Sequence, residues 1–199
     1  MKTKTLVVLV VLLLLGIAAF APVTNTLAQG EGLAGRTITG TVYFVSGRRP
    51  GLSLPFRLII NRTTTPDEVS QLNSALQAGK QDELLRELSR MDAGRIQVGS
   101  DVGVPANAII VTDQGDGRTK ITVVFQRNLR FAELRFGARS VDYPFGYAEM
   151  YVGRGANEGM FIPAARVRLR DGNTWEVEDF GAFPARLMGL QVRGRGSVG

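Results

Sequence analysis

The sequence predicts an α+β fold, mainly antiparallel β (barrel or sandwich), with an inserted helical hairpin. Three observations predict it. Short segments with apolar and polar residues alternating recur along the chain, separated by Gly-, Asp- and Asn-rich turns. One stretch, about Thr65 to Met91, switches to helical spacing. One pair of segments can be set in antiparallel register by its loop length and the separation of its apolar and charged faces.

The elements follow in order. From Thr37 the chain places Ile38, Val42 and Phe44 on one face and Thr37, Thr39, Thr41 and Tyr43 on the other, a half-buried strand. Ser46 to Gly51 is a loop, and Leu54 to Ile60 forms a second strand, with Pro55 marking an edge or a start. Thr65-Pro66-Asp67-Glu68 is a helix start: Thr65 caps, Pro66 suits the first helical position, and Glu68 reaches back as in a capping box. Val69, Leu72 and Leu76 mark its inner face, and Gly79 is the expected stop. A second helix is expected from Gln81 to about Met91, with Leu84, Leu85, Leu88 and Met91 inward and Gly94 ending it. So short an amphipathic pair packs against the sheet of its own chain.

Further strands are expected at Ala108–Thr112, Thr119–Gln126, Phe145–Val152, Phe161–Arg170, Trp175–Phe180 and Arg186–Val192. Turns fall at Asp113–Gly117, Gly153–Gly159 and Asp171–Asn173, while Leu129–Phe136 fits neither period. A three-residue loop at Asp171–Asn173 sets Leu169 opposite Trp175 and Val167 opposite Val177. It also sets Arg168 against Glu176 and Arg166 against Glu178, whereas a two-residue loop mixes the faces. The Arg166, Arg168, Arg170 stripe is then a solvated face paired with glutamates.

Composition narrows the chemistry. The 199 residues contain no Cys and no His. That excludes disulfides, thiol nucleophiles, His-dependent triads and imidazole-held zinc or haem. A Ser nucleophile lacks both G-x-S-x-G and S-x-x-K contexts. Asp113–Gly117 lacks calcium-loop spacing, and the G-x-G at Gly153 lies between strand patterns rather than before a helix. No metal, cofactor or catalytic residue is therefore assigned. A carboxylate-only glycan hydrolase stays open, its loop acids being Asp101, Asp113, Asp116, Asp142 and Glu158.

Lys2 and Lys4 precede an apolar run from Leu6 to Phe20, the pattern of an export signal. Thr26-Leu27-Ala28 is the expected cleavage site, so residues 1–28 form the signal peptide and the mature chain starts at Gln29; the alternative is an uncleaved anchor. Removing those residues takes away two lysines and no acid, leaving 22 basic and 18 acidic groups, a net charge of +4. Residues 29–36 are expected as a flexible leader, 37–193 as a single β-rich domain and 194–199 as a flexible tail.

Two stretches draw a ligand reading. From Arg118 to Arg139 there are six basic residues against one acid, interleaved with Phe125, Phe131 and Phe136. Nucleic acid is set aside for an exported chain without an RNP-like string. An anionic glycan or a lipid head group suits such a face better. Asp142-Tyr143-Pro144-Phe145-Gly146-Tyr147 is the most distinctive string, either an aromatic platform or a rigid turn feeding a strand. The candidate ligand-binding residues are Asp142, Tyr143, Phe145, Tyr147, Arg127 and Arg130.

Thr64 to Val69, Asp142 to Gly146 and Phe161 to Val167 together resemble a family of small exported bacterial proteins without assigned function. The resemblance spans about Thr37 to Val192. It implies export and one domain, and lends no catalytic residue. The expected function is a non-catalytic binding or interaction protein of the bacterial cell envelope or extracellular space. Its partner would be an envelope protein, an anionic glycan or a lipid head group, with membrane contact only through an uncleaved N-terminus. The alternatives are the glycan hydrolase and an assembly factor that uses an exposed sheet edge.

Overall fold

A computed structural model describes residues 32–46, 50–77, 81–127, 139–155, 157–170, 174–180 and 184–194. The expected signal peptide, most of the tail, Leu129–Phe136, Arg130, Gly79 and the Asp171–Asn173 loop lie outside them. The elements run β1 (Thr37–Tyr43), β2 (Ser53–Ile60), α1 (Pro66–Gln77), α2 (Gln81–Ser89), β3 (Gly94–Val98), β4 (Val104–Ala106) and β5 (Ala108–Asp113). Then come β6 (Arg118–Gln126), a 3-10 turn (Arg139–Asp142), β7 (Phe145–Gly153), β8 (Glu158–Arg170), β9 (Thr174–Asp179) and β10 (Ala185–Arg193).

All pairings are antiparallel and build one sheet in the order β4-β3-β2-β1-β10-β8-β7-β6-β5, with β9 branching from β8. The two ends of that path are consecutive in sequence, with Asn107 alone between β4 and β5, and the sheet curls into a nearly closed barrel. Thr64 covers the outer edge of β5: its amide donates to the Ile109 carbonyl at 2.8 Å, and its hydroxyl accepts from the Ile109 amide at 2.8 Å.

The period of two along each strand separates two apolar layers. Ile38, Phe56, Leu58, Ile121, Met150 and Leu187 belong to the cluster that fills the barrel. Val124, Phe145, Ile162, Ala165 and Val167 belong to a second cluster, where α1 and α2 contribute Leu72, Leu76, Leu84 and Leu88. The helical hairpin thus lies on the outside of the sheet, against its own chain as expected. Its start follows the sequence: the Thr65 amide donates to Glu68 Oε2 at 2.8 Å, and the Glu68 amide donates to Thr65 Oγ1 at 3.3 Å. Glu68 also takes Arg62 in a bidentate pair at 2.8 and 2.9 Å.

The registered hairpin forms as expected, with Leu169 opposite Trp175, Arg168 opposite Glu176 and Arg166 opposite Glu178. β8 is long because it serves two neighbours in turn. Gly159–Phe161 pair with β10, and Ala165–Arg170 pair with β9. Pro163, which has no N–H to donate, falls in the gap between them.

Four expectations need correction. β3 and β4 form where no strand is expected. α2 ends at Ser89 rather than near Met91. There the Asn107 side-chain amide donates to the Leu88 and Met91 carbonyls at 3.0 Å each, a helix stop supplied from 16 to 19 residues downstream. Gly94 starts β3 instead of ending the helix; a Cβ there would lie 2.0 Å from the Ile59 carbonyl oxygen, so only glycine allows the β2–β3 approach. β8 begins at Glu158, so the preceding turn is shorter than expected. Upstream of β1, Leu33 packs against the barrel cluster, and the Gly35 amide donates to the Ile60 carbonyl at 2.8 Å.

Candidate functional site

On the outer face of the sheet, β6 presents Lys120 and Thr122, and β7 presents Tyr147, Glu149 and Tyr151. The intervening Ile121, Val123, Ala148 and Met150 point into the barrel. α1 walls this surface with Val69 and Asn73, and β9 adds Trp175 at the opposite end of the branch. These groups, Tyr151 excepted, line an open concavity of about 370 Å³, within the roughly 300–1,000 Å³ that small-molecule sites occupy.

Glu149 is the centre of its hydrogen bonding. Tyr147 Oη donates to Oε2 at 2.9 Å, Tyr151 Oη donates to Oε1 at 3.0 Å, and Lys120 Nζ lies 2.8 Å from Oε2. Burial acts to raise the Glu149 carboxyl; the bonds from Lys120 and Tyr147 outweigh it and hold the group below the usual glutamate range. The same arrangement pushes both phenols up. Burial is the leading cause for each, and the Glu149 carboxylate adds to it. Both hydroxyls therefore stay protonated and keep donating. Arg118 lies over the Tyr151 ring at 5.5 Å and pairs with Asp116 at 2.8 Å.

Trp175 forms the aromatic wall. Its indole N–H donates to Asn73 Oδ1 at 2.6 Å, which fixes the ring between the hairpin β8–β9 and α1. The ring also packs on the second apolar cluster, so its orientation is set before any ligand arrives.

The residues singled out from sequence are not brought together. Tyr147 belongs to the concavity. Tyr143 is buried 35 residues from its partner in the chain: its hydroxyl donates to Glu178, whose other oxygen meets Arg168 at 3.0 Å, and its ring tilts against Phe180. Arg127 closes the same corner, its Nε donating to the Tyr143 carbonyl at 2.6 Å. Phe145 is wholly buried in the second cluster and presents no ring to solvent. Asp142 is exposed at the end of the 3-10 turn, and Arg130 lies outside the described residues. The string at Asp142–Tyr147 is thus a turn feeding a strand, not one platform. Of the loop acids, Asp113 and Asp116 accept from the amides of Gly115 and Arg118 and shape the β5–β6 turn.

Sequence reasoning missed Glu149, Asn73 and Trp175 as site residues and listed Lys120 only within a basic run. The signal available was Tyr147-x-Glu149-x-Tyr151, an acid between two phenols on one face of an otherwise apolar strand.

A second hollow of similar size, about 370 Å³, opens at one end of the barrel among Ile96, Val98, Val102, Val104, Phe125 and Phe161. Apart from the exposed Val102, these side chains belong to or pack on the barrel core, and Asp101 also lines the hollow. The polar chemistry gathers on the outer face. Comparison with protein-family models, curated proteins and solved structures found no match to this chain.

Proposed function

We propose that the chain is a non-catalytic, exported binding protein of the bacterial cell envelope or extracellular space, and that the Trp175–Glu149 concavity holds its ligand. One observation carries the reading. The acid of the concavity, Glu149, is held ionised by three donors. A glycan hydrolase needs a second carboxyl besides such an ionised one, kept protonated by a raised pKa across the cleft, and among the described residues lining the concavity Glu149 is the sole acid. A fully bonded carboxylate beside a fixed indole suits recognition instead.

The assembly-factor alternative draws on an open sheet edge. At the barrel seam that edge is covered at Ile109 by Thr64. Export rests on Lys2, Lys4 and the Leu6–Phe20 run.

The test is to recover the protein after expression in a bacterium, establish its N-terminus by mass, and incubate it with solubilised envelope glycans. A start at Gln29 and stoichiometric retention of intact glycan support the proposal. Turnover into shortened products overturns the non-catalytic reading, and retention in the cytoplasm overturns export.

A further inference from the structure

We infer that the concavity takes an uncharged, polyhydroxylated ring of the saccharide class, and not an anion. This rests on the binding reading above and names its ligand. The first support is charge balance. The lining cation, Lys120, and the lining anion, Glu149, neutralise one another at 2.8 Å, with side chains only 31% and 15% exposed. An anionic ligand would bring a second negative charge beside the half-buried Glu149 carboxylate, with a single cation already paired to it, and like charges so placed repel.

The second support is the chemistry of the rim. Thr112, Thr122 and Gln114 bring hydroxyls and an amide to the opening, groups that both donate and accept. Asn73 spends its oxygen on the indole N–H, so its amide N–H donors remain for other acceptors. The Lys120 ammonium has donors beyond the one directed at Glu149. Neutral donors and acceptors in alternation match hydroxyl groups, which play both parts.

The third is the wall. Val69 and Ile110 add apolar atoms to the lining beside the fixed Trp175 ring. A pyranose presents C–H groups on its faces and hydroxyls around its edge, so its face packs on the indole while its edge meets the rim. Such a division of apolar and polar contact is what the concavity offers.

Trp175 is the sole tryptophan of the chain, so its indole N–H gives one isolated NMR signal at the site. The experiment uses ¹⁵N-labelled protein recovered after export. It is titrated at constant ionic strength with neutral mono- and disaccharides of gluco, galacto, manno and N-acetylated types, then with glucuronate and with glycerol 3-phosphate. Saturable movement of the indole signal with a neutral sugar, absent with its charged counterparts, is the expected result. Thr122→Val, which removes a hydroxyl and keeps the shape, should weaken that binding about three- to ten-fold. Movement with glucuronate or glycerol phosphate alone overturns the neutral-ligand inference and leaves the binding site standing. Binding that shifts other signals and never the indole overturns the site as well, and no response to any neutral sugar overturns the inference.

Discussion

Lys120 Nζ lies 2.8 Å from Glu149 Oε2, although the ladder sets Lys120 opposite Tyr151 and Glu149 opposite Thr122. The pair is diagonal across β6 and β7. Arg168 does the same on β8, standing opposite Glu176 and bonding Glu178. Diagonal neighbours lie within reach of long side chains. Thr122 of β6 directly faces Glu149 of β7, and it lines the concavity.

Removing the lysine tests the pair. Lys120→Met should leave Glu149 under burial with two phenol donors and no charge partner. The expected loss is about 1–2 kcal/mol, less than for a fully buried pair because Lys120 is partly solvated. Urea unfolding of this variant, of Glu149→Gln and of the double variant measures the coupling, which should exceed about 0.5 kcal/mol.

Acid stability follows from the direction of the Glu149 shift. A carboxyl lowered in the folded state contributes stability that is fully present above its unfolded value, about 4.3. That contribution is lost as pH falls through the lower folded value. Glu68, lowered chiefly by its bond from Arg62, acts in the same sense. Urea midpoints should therefore fall below about pH 4.3, and the fall should be shallower in Glu149→Gln.

Asn107 ties the barrel seam to the end of α2. Its amide donates to the Leu88 and Met91 carbonyls, and its Oδ1 accepts from the Gln126 amide at 2.8 Å. Asn107→Ala leaves all three backbone groups without these partners in a site only 6% exposed. A loss of about 3 kcal/mol is expected in urea unfolding. Faster hydrogen exchange should appear at the Gln126 amide.

Gly146 is required by a ring. A Cβ at that position would lie 2.0 Å from Phe125 Cζ, and Phe125 is stacked on Phe161 with centroids 6.3 Å apart. Gly146→Ala should cost about 2–3 kcal/mol, as overpacked cores do. Adding Phe125→Leu should cost less than the sum of the two single changes, because the clash disappears.

Much of this fold is legible in the residues, and the exceptions have causes. Thr65 to Glu68 carries its own start signal within four positions, so α1 begins where expected. The β8–β9 register is legible because Arg and Glu fall on one face and Leu, Val and Trp on the other. β3 is only five residues long and alternates Arg95 and Gln97 with apolar neighbours, and β4 has three residues including Pro105. β3 forms on β2 and β4 in turn on β3, templates that no local pattern records. The end of α2 is hidden for the same reason, its stop being Asn107.

The site was less legible than the fold. Tyr147 could be singled out, but its partners Glu149, Lys120, Asn73 and Trp175 come from four elements. Asn73 and Trp175 are 102 residues apart. Of the aromatic residues close in sequence at Asp142–Tyr147, Phe145 and Tyr147 share one face of β7, but Phe145 is wholly buried, and Tyr143, upstream of the strand, turns to Glu178 instead.

The most direct measurement is the titration of the Glu149 side-chain carboxyl by ¹³C NMR, with Glu149→Gln to assign the signal. A midpoint below the ordinary value of about 4.3, rising in Lys120→Met, is the expected result for a carboxylate locked for binding. A midpoint raised to about 6 or above, where a general acid operates, would contradict the binding-protein reading and give Glu149 the role of a hydrolase acid.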